Sequence, residues 1–271
     1  MSETEAIHLL TKEYSLVLAA TQEDFQAVKK LRNDIISHNY PELDPQEIEP
    51  YLFSQDDEQS FIYLLRHQAT NKYVGTVRIF FVNKDTPIQK IPMQKDFHIK
   101  NIECLAQNRP ICEISRLGLS NNLIEHKKFS GIQLRTYLSM ALMIATRINF
   151  FLYHYFTIFS LMELSLHRIL KRQHVNFKQI GEPVKHYGTR IPFAIERQKL
   201  LIETENTMGQ ITRYYLKELC KNPEVLWKFI DNNPYLKRSD IHLDRICQLF
   251  KEYGDDVDIS LLLEETVNIE A

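Results

Sequence analysis

Residues 112–120, CEISRLGLS, set two charged side chains, Glu113 and Arg116, inside sequence that otherwise reads as a β-strand. Leaving one member of a buried ion pair without its partner costs about 3–5 kcal/mol. Each of these charges therefore needs a partner or a wet cleft, and two readings stand: a structural ion pair, or groups that line a binding site. Strict alternation puts Glu113, Ser115 and Leu117 on one face of the strand and Ile114 and Arg116 on the other. A β-bulge would bring Glu113 and Arg116 together, and the residues leave that question open.

Upstream, SFIYLLR at 60–66 and YVGTVRIFFV at 73–82 flank a polar turn and predict an antiparallel hairpin. Alternation places Val77 and Ile79 on one face and Thr76 and Arg78 on the other, so Arg78 stands apart from the main apolar face. Further back, YSLVLAA at 14–20 predicts a strand. Thr21 then caps a helix whose apolar stripe is Phe25, Val28, Leu31 and Ile35, ending before Pro41. Arg32 lies beside that stripe, either solvated or turned toward a pocket. Residues 38–58 hold three prolines among many acids, which predicts a long loop or a set of short helical turns of the kind that act as lids. Residues 83–110 read as an irregular connection.

Downstream, SNNLIEHKKFSG at 120–131 is a polar loop carrying Lys127 and Lys128, and its Ser130-Gly131 pair leads into a helix from about 132 to 149. Such a start is either a plain helix N-terminus or a phosphate site. FLYHYFTIFSLME at 151–163 reads as a buried strand, MELSLHRILKRQ as a short helix, NFKQIGEPV as strand and turn, and YGTRIPFAIE at 187–196 as the last strand. From residue 198 only helices are predicted: one across 207–219, one capped by Asn222 with Pro223 at its first position, and one from Ser239 to Tyr253 stopped by Gly254. The organisation is a mixed-sheet domain over 1–197 and a helical extension over 198–271.

With 271 residues, 44% hydrophobic and 25% charged, the chain has the make-up of a soluble globular protein, and its net charge of -2 gives no whole-molecule attraction to nucleic acid or anionic membranes. Four cysteines without a CxxC pair suggest neither a zinc site nor a disulfide framework, and reduced thiols in a cytoplasm are the expectation. The acidic start MSETEAIHLL is unlike a signal peptide. Arg147, Asn149 and His154 interrupt the most apolar region, 137–162, and argue against a membrane span there, while peripheral membrane contact stays open.

GTVR at 75–78 paired with EISRL at 113–117, the long helix, the aromatic strand and MELSLHRILKRQHVNFKQIGEPVKHYGTR together resemble the acyltransferases that accompany exosortase systems. Those are similar to N-acyl amino acid synthases and, more distantly, to acyl-homoserine-lactone synthases, all with a GCN5-related N-acetyltransferase (GNAT) fold. The resemblance covers residues 14–196. It implies an α+β fold built on a mixed α/β sheet, with a C-terminal helical appendage and a sheet that splays between the EISRL strand and the aromatic strand after it. It also implies a reaction, in which the amine of an amino acid or related small molecule attacks a medium or long acyl thioester carried by acyl carrier protein or coenzyme A.

Under that resemblance Glu113 is the base or orients a water that is, and Ser115 either donates to the thioester oxygen or satisfies a neighbour. Arg116, Arg78 and Arg32 match charged pocket positions, one of them pairing with an acceptor carboxylate. Asp57 positions Arg32 or Arg78. Tyr187 and Arg190 contact substrate or serve structure, and Phe151, Tyr155, Phe156 and Phe159 line an acyl tunnel or belong to the core. No metal is implied. Gly131 is the one glycine in EHKKFSG, where acetyl-coenzyme A enzymes of this fold carry a glycine-spaced pyrophosphate loop. This departure favours a carrier-protein donor, met by Lys127, Lys128, Arg135 or the group Arg168, Lys171 and Arg172. Trp227 is the only tryptophan and lies late, which disfavours a homoserine-lactone synthase. A second reading from another class is an inactive GNAT-like module that binds a carrier protein or acyl ligand as a sensor.

Overall fold

The computed structural model describes residues 7–82, 91–96, 110–153, 157–186, 188–233, 236–254, 257–258 and 261–262. After a helical turn at Leu9–Glu13 come β1 (Tyr14–Leu18) and α1 (Gln22–Asn39). The α1 cap is reciprocal: Asp24 N donates to the Thr21 hydroxyl at 3.2 Å, and Thr21 N donates back to the Asp24 carboxylate at 3.0 Å. The proline-bearing segment folds as two short helices, α2 (Pro45–Leu52) and α3 (Gln55–Glu58), started by Asp44 and Ser54. The hairpin is β2 (Ser60–His67) and β3 (Lys72–Val82). Next come α4 (Pro92–Asp96), β4 (Ile111–Leu119), α5 (Gly131–Leu152), β5 (Thr157–Met162) and α6 (Leu164–Arg172). The short strands β6 (Lys178–Gln179) and β7 (Val184–Lys185) lead to β8 (Thr189–Glu196). Helices α7 (Arg197–Glu203), α8 (Glu205–Lys221), α9 (Glu224–Asp231) and α10 (Leu243–Tyr253) follow.

The strands form one mixed sheet in the order β1-β2-β3-β4-β5-β8-β6, with β7 paired to β8 off that path. Among the described strands only β4 and β5 run parallel to each other. The expected mixed α/β sheet is present. Its two faces differ as the alternation in β3 predicts. Phe61, Tyr63, Leu65, Val77, Ile79, Phe81, Cys112 and Ile114 join the large apolar cluster formed with α5 and the C-terminal helices. On the other face Ile62 and Leu64 meet Val28 and Leu31 of α1, while Phe80, Val82 and Ile111 meet Ile91 and Met93 around α4.

Three expectations change. The aromatic run 151–163 is not all strand. Helix α5 continues through Leu152, so Phe151 is a buried helix residue, and Tyr155 and Phe156 lie outside the described residues. The helix extends because its exit is capped from a distance: Arg197 Nε donates to Phe150 O at 2.8 Å, and His242 N to Leu152 O at 3.0 Å. The last helix starts at Leu243 rather than Ser239. The expectation of reduced thiols fails at Cys220 and Cys247, which form a disulfide with their Cα atoms 5.3 Å apart. Helices α8 and α10 pack together and bring the two thiols side by side, and with this pair the cysteine argument for a reducing compartment lapses. Cys112 is a buried free thiol, and Cys104 lies outside the described residues.

Arg147 and Asn149, the interruptions in the apolar region, are interior residues with partners. Asn149 Nδ2 donates to the Tyr63 hydroxyl at 2.7 Å; Arg147 donates to Leu201 O at 2.7 Å and contacts Thr204 and Glu205. Among the described residues no helix is long and apolar enough to cross a membrane.

Candidate active site

The residue that re-aims the site is Arg116. Across β3 and β4, Arg78 faces Ser115, but Thr76 then faces Gly118, so β4 carries one extra residue in between. This is a β-bulge, and Arg116 takes it up in the left-handed region at φ 53. The extra residue turns Arg116 away from the face that strict alternation assigns it and toward the charges on the α1 side of the sheet. The bulge left open by the sequence therefore exists.

Those charges form a chain. Asp57, at the end of the lid-like segment, accepts from Ser54 N at 2.8 Å through one oxygen and pairs through the other with Arg32 at 2.9 Å and Arg78 at 3.6 Å. Arg32 also donates to Leu52 O at 2.9 Å. Arg78 reaches Glu113 at 3.5 Å and donates through Nε to Ser115 Oγ at 3.0 Å. Glu113 accepts from Met93 N at 2.7 Å. Asp57 thus pairs with both Arg32 and Arg78, and Ser115 Oγ accepts from Arg78.

All four groups of the chain are buried: Arg32, Asp57, Arg78 and Glu113. Burial pulls the Arg32 guanidinium down to about 9 despite Asp57. Burial pushes the Glu113 carboxyl up, and Arg78 and the Met93 amide only partly oppose it. For Asp57 burial also acts upward, but Arg32, Arg78 and Arg116 outweigh it and hold the carboxyl below the usual carboxylate range.

Three guanidinium groups against two carboxylates leave one positive charge over, and it resides on Arg116. No carboxylate among the described residues lies within ion-pair distance of Arg116, and its Nη1 is buried without a hydrogen-bond partner. The guanidinium sits 6.0 Å from the Tyr51 ring. Burial and then the nearby Arg78 pull it down to about 10. A half-buried guanidinium with an unfilled donor can pair with an anion.

This charge stands at a gap in the sheet. Strands β4 and β5 pair only at Ile111–Thr157, Cys112–Ile158 and Glu113–Phe159, although β4 runs on to Leu119 and β5 to Met162. Ser160 Oγ closes the apex by donating to Ile114 O at 2.8 Å. Beyond it the strands diverge, and Ser115 through Leu119 are half-buried. Glu113 is at the apex and Arg116 just inside the opening. Phe159 is fully buried at the apex, packed with Phe80, Met93 and Ala194.

The other named residues fall in separate places. Lys127, Lys128 and Gly131 are exposed at the start of α5, and Gly131 has open space where a side chain would be. Arg135 instead turns back to Ser120 O, at 3.2 Å, and to Asn121. Arg190 donates through Nε to His186 O at 2.7 Å and pairs with Glu163 at 3.5 Å. Tyr187 lies outside the described residues. Sequence reasoning missed Met93, Tyr51 and Ser160. For Met93 the only signal was a pair of apolar residues, Ile91 and Met93, in an irregular stretch; nothing local marked the other two. Among the described residues no group of three or more His, Cys, Asp or Glu side chains is placed to hold a metal ion.

No protein-family model and no curated protein matches this sequence. Among solved structures, the chain is similar to FeeM, an N-acyl amino acid synthase from uncultured soil microbes, at 13% identity over 70% of this chain and 94% of that one, with a TM-score of 0.48. It is similar to the acyl-homoserine-lactone synthase LasI at 12% identity, 71% and 95% coverage and a TM-score of 0.44. It is also similar to BjaI, a CoA-dependent acyl-homoserine-lactone synthase, at 17% identity, 73% and 89% coverage and a TM-score of 0.43. No residue role follows from likeness at this level.

Proposed function

We propose that the chain is an N-acyltransferase that moves a medium or long acyl group from a thioester, on acyl carrier protein or coenzyme A, to the amine of a carboxylate-bearing small molecule such as an amino acid. The observation that carries this reading is Arg116, an uncompensated guanidinium held by a left-handed bulge at the opening between β4 and β5. Its natural complement is the acceptor's carboxylate, paired bidentately. The thioester lies along the edge of β4 that faces β5, where the ladder between the two strands ends at Glu113 although β4 stays paired with β3 on its other side.

The amine nitrogen attacks the thioester carbonyl carbon, the C–S bond breaks as the amide C–N bond forms, and the sulfur leaves as a thiolate that becomes a thiol by taking up the proton the amine gives to Glu113. Glu113 takes the amine's proton through a water at the apex, a role suited to a carboxyl that burial has pushed up. Arg78 and Met93 N hold that carboxylate in place. On the donor side, Gln173 donates to Thr136 O at 3.0 Å and so fastens the end of α6 to the first turns of α5. Lys127 and Lys128 ahead of α5 and Arg168, Lys171 and Arg172 on α6 are all exposed, and exposed cations of this kind suit an acidic carrier protein as donor.

The test mixes purified protein with long-chain acyl carrier protein or acyl-coenzyme A and an amino-acid panel, with amide product read by mass spectrometry. Glu113→Gln is expected to lower kcat by about 10²–10⁴-fold and to remove the acid limb of the pH–rate profile, because the base must be deprotonated to act. Absence of amide with every donor between about pH 6 and 9, with stoichiometric carrier binding that Glu113→Gln leaves unchanged, overturns the enzyme reading in favour of a binding module.

A further inference from the structure

A cavity of about 530 Å³ opens at the end of the sheet toward which β4 and β5 diverge. Its walls come from the C-terminal end of α1 (Asn39, Tyr40), the junction of β5 with α6 (Glu163, Leu164, Ser165) and the start of β8 (Gly188, Thr189). Strands β4 and β5 are parallel, so the last residues of both lie at this same end. A run of contacts links the cavity to Arg116. The Arg116 guanidinium faces Tyr51 at 6.0 Å, and the Tyr51 ring meets the His186 ring at 5.9 Å. Arg190 donates to His186 O at 2.7 Å and to the Tyr40 hydroxyl at 3.3 Å, and that hydroxyl donates to Glu163 at 2.8 Å.

The lining is polar for a pocket. Leu164 is its one large apolar side chain, whereas Asn39, Tyr40, Glu163, Ser165 and Thr189 all offer hydrogen-bonding groups. The Glu163 carboxylate accepts from Tyr40 and, at 3.3 Å, from Ser165, and its side chain is still 42% exposed. Arg190 at 3.5 Å offsets its charge. A neutral polar group can join this set, while an apolar group would take water from Glu163 and Asn39 and return nothing.

We propose that this cavity is the specificity pocket for the amine acceptor: it takes the end of the acceptor remote from the reacting nitrogen and, through Glu163 and Tyr40, selects acceptors that carry a hydroxyl or carboxamide there. The assignment rests on the transferase reading and adds the class of acceptor to it. Sites built to hydrogen-bond a substrate discriminate against analogues that lack the group, here by displacing water from Glu163 and Tyr40 without replacing its hydrogen bonds.

The probes are glutamine and norleucine, matched in length and different in their ends, with binding read by calorimetry and acyl transfer by mass spectrometry. Wild-type protein is expected to favour glutamine by about 10-fold or more, and Glu163→Leu to bring the two within about 3-fold, with the KM for the acyl donor unchanged. Tyr40→Phe and Thr189→Val are expected to narrow the preference in part, and they carry the test should Glu163→Leu fail to fold. Equal or better binding of norleucine to the wild type, or a preference that all three variants leave intact, overturns the assignment. Acyl transfer with an unaltered preference removes the pocket's role and keeps the transferase. A Glu163-dependent preference with no transfer from any thioester keeps the pocket and removes the transferase.

Discussion

Arg116 carries two physical burdens at once, a left-handed backbone and a half-buried charge without a carboxylate partner among the described residues. A non-glycine residue held at positive φ costs roughly 1–2 kcal/mol. Arg116→Ala and Arg116→Gly are therefore expected to lose acceptor affinity alike, with KM for the amine raised about 10²-fold as a charge-assisted bidentate contact is removed. They should differ in stability, the glycine variant being firmer than the alanine by about 1 kcal/mol in urea unfolding. Equal stability of the two would remove backbone strain from the account of the bulge. Asp57 is the residue on which the interior chain turns. Asp57→Asn leaves Arg32 and Arg78 without their shared counter-charge and is expected to cost about 3–5 kcal/mol. Its pH signature has a definite sign. The Asp57 carboxyl lies lower in the folded than in the unfolded chain, so its stabilisation is complete above the unfolded value and is lost as pH falls through the folded one. Denaturation midpoints of the Asn variant should thus vary less on the acid side than those of the wild type.

The hairpin and its faces were legible because a period of two in β3 separates Val77 and Ile79 from Thr76 and Arg78, and burial on one side makes that separation binding. The bulge was not legible, since an extra residue in β4 is defined by its partner on β3 and leaves no local mark. The cramped seam beyond it was equally hidden. A Cβ on Gly118 would lie 3.2 Å from the Ile35 side chain of α1. Gly118→Val is expected to wedge α1 away from β4 and to cost about 1–3 kcal/mol in urea unfolding, with a rise in acceptor KM because α1 carries Arg32 and Tyr40. An unperturbed midpoint would mean that α1 yields at this seam, and that close packing there does not hold the site.

Buried residues of α8, α9 and α10, among them Ile211, Phe229 and Leu249, share one apolar cluster with α5 and the hairpin. Arg147 adds polar ties from α5 to Leu201, Thr204 and Glu205. The helical extension therefore supports the face of the sheet opposite the charges. The disulfide fastens it further. Cys220 and Cys247 are 27 residues apart, and a cross-link of that span stabilises by about 3–4 kcal/mol through loss of entropy in the unfolded chain. Reduction under native conditions, or Cys220→Ser with Cys247→Ser, is expected to lower the unfolding free energy by that amount in a single transition, while acyl transfer at room temperature stays near wild type. Two separate transitions on reduction would show that the extension unfolds independently of the sheet.

By itself the sequence determined the mixed sheet, the capped first helix, the sidedness of β3 and the presence of charged residues in strand sequence that need partners, because each of these depends on local periodicity or on the cost of burying a charge. Tertiary structure alone decided where those charges meet. The bulge at Arg116, the amide of Met93 on Glu113, the divergence of β4 from β5 and the pairing of Cys220 with Cys247 all join residues distant in the chain. Which arginine is left without a carboxylate depends on three-dimensional pairing, and no spacing along the chain encodes it.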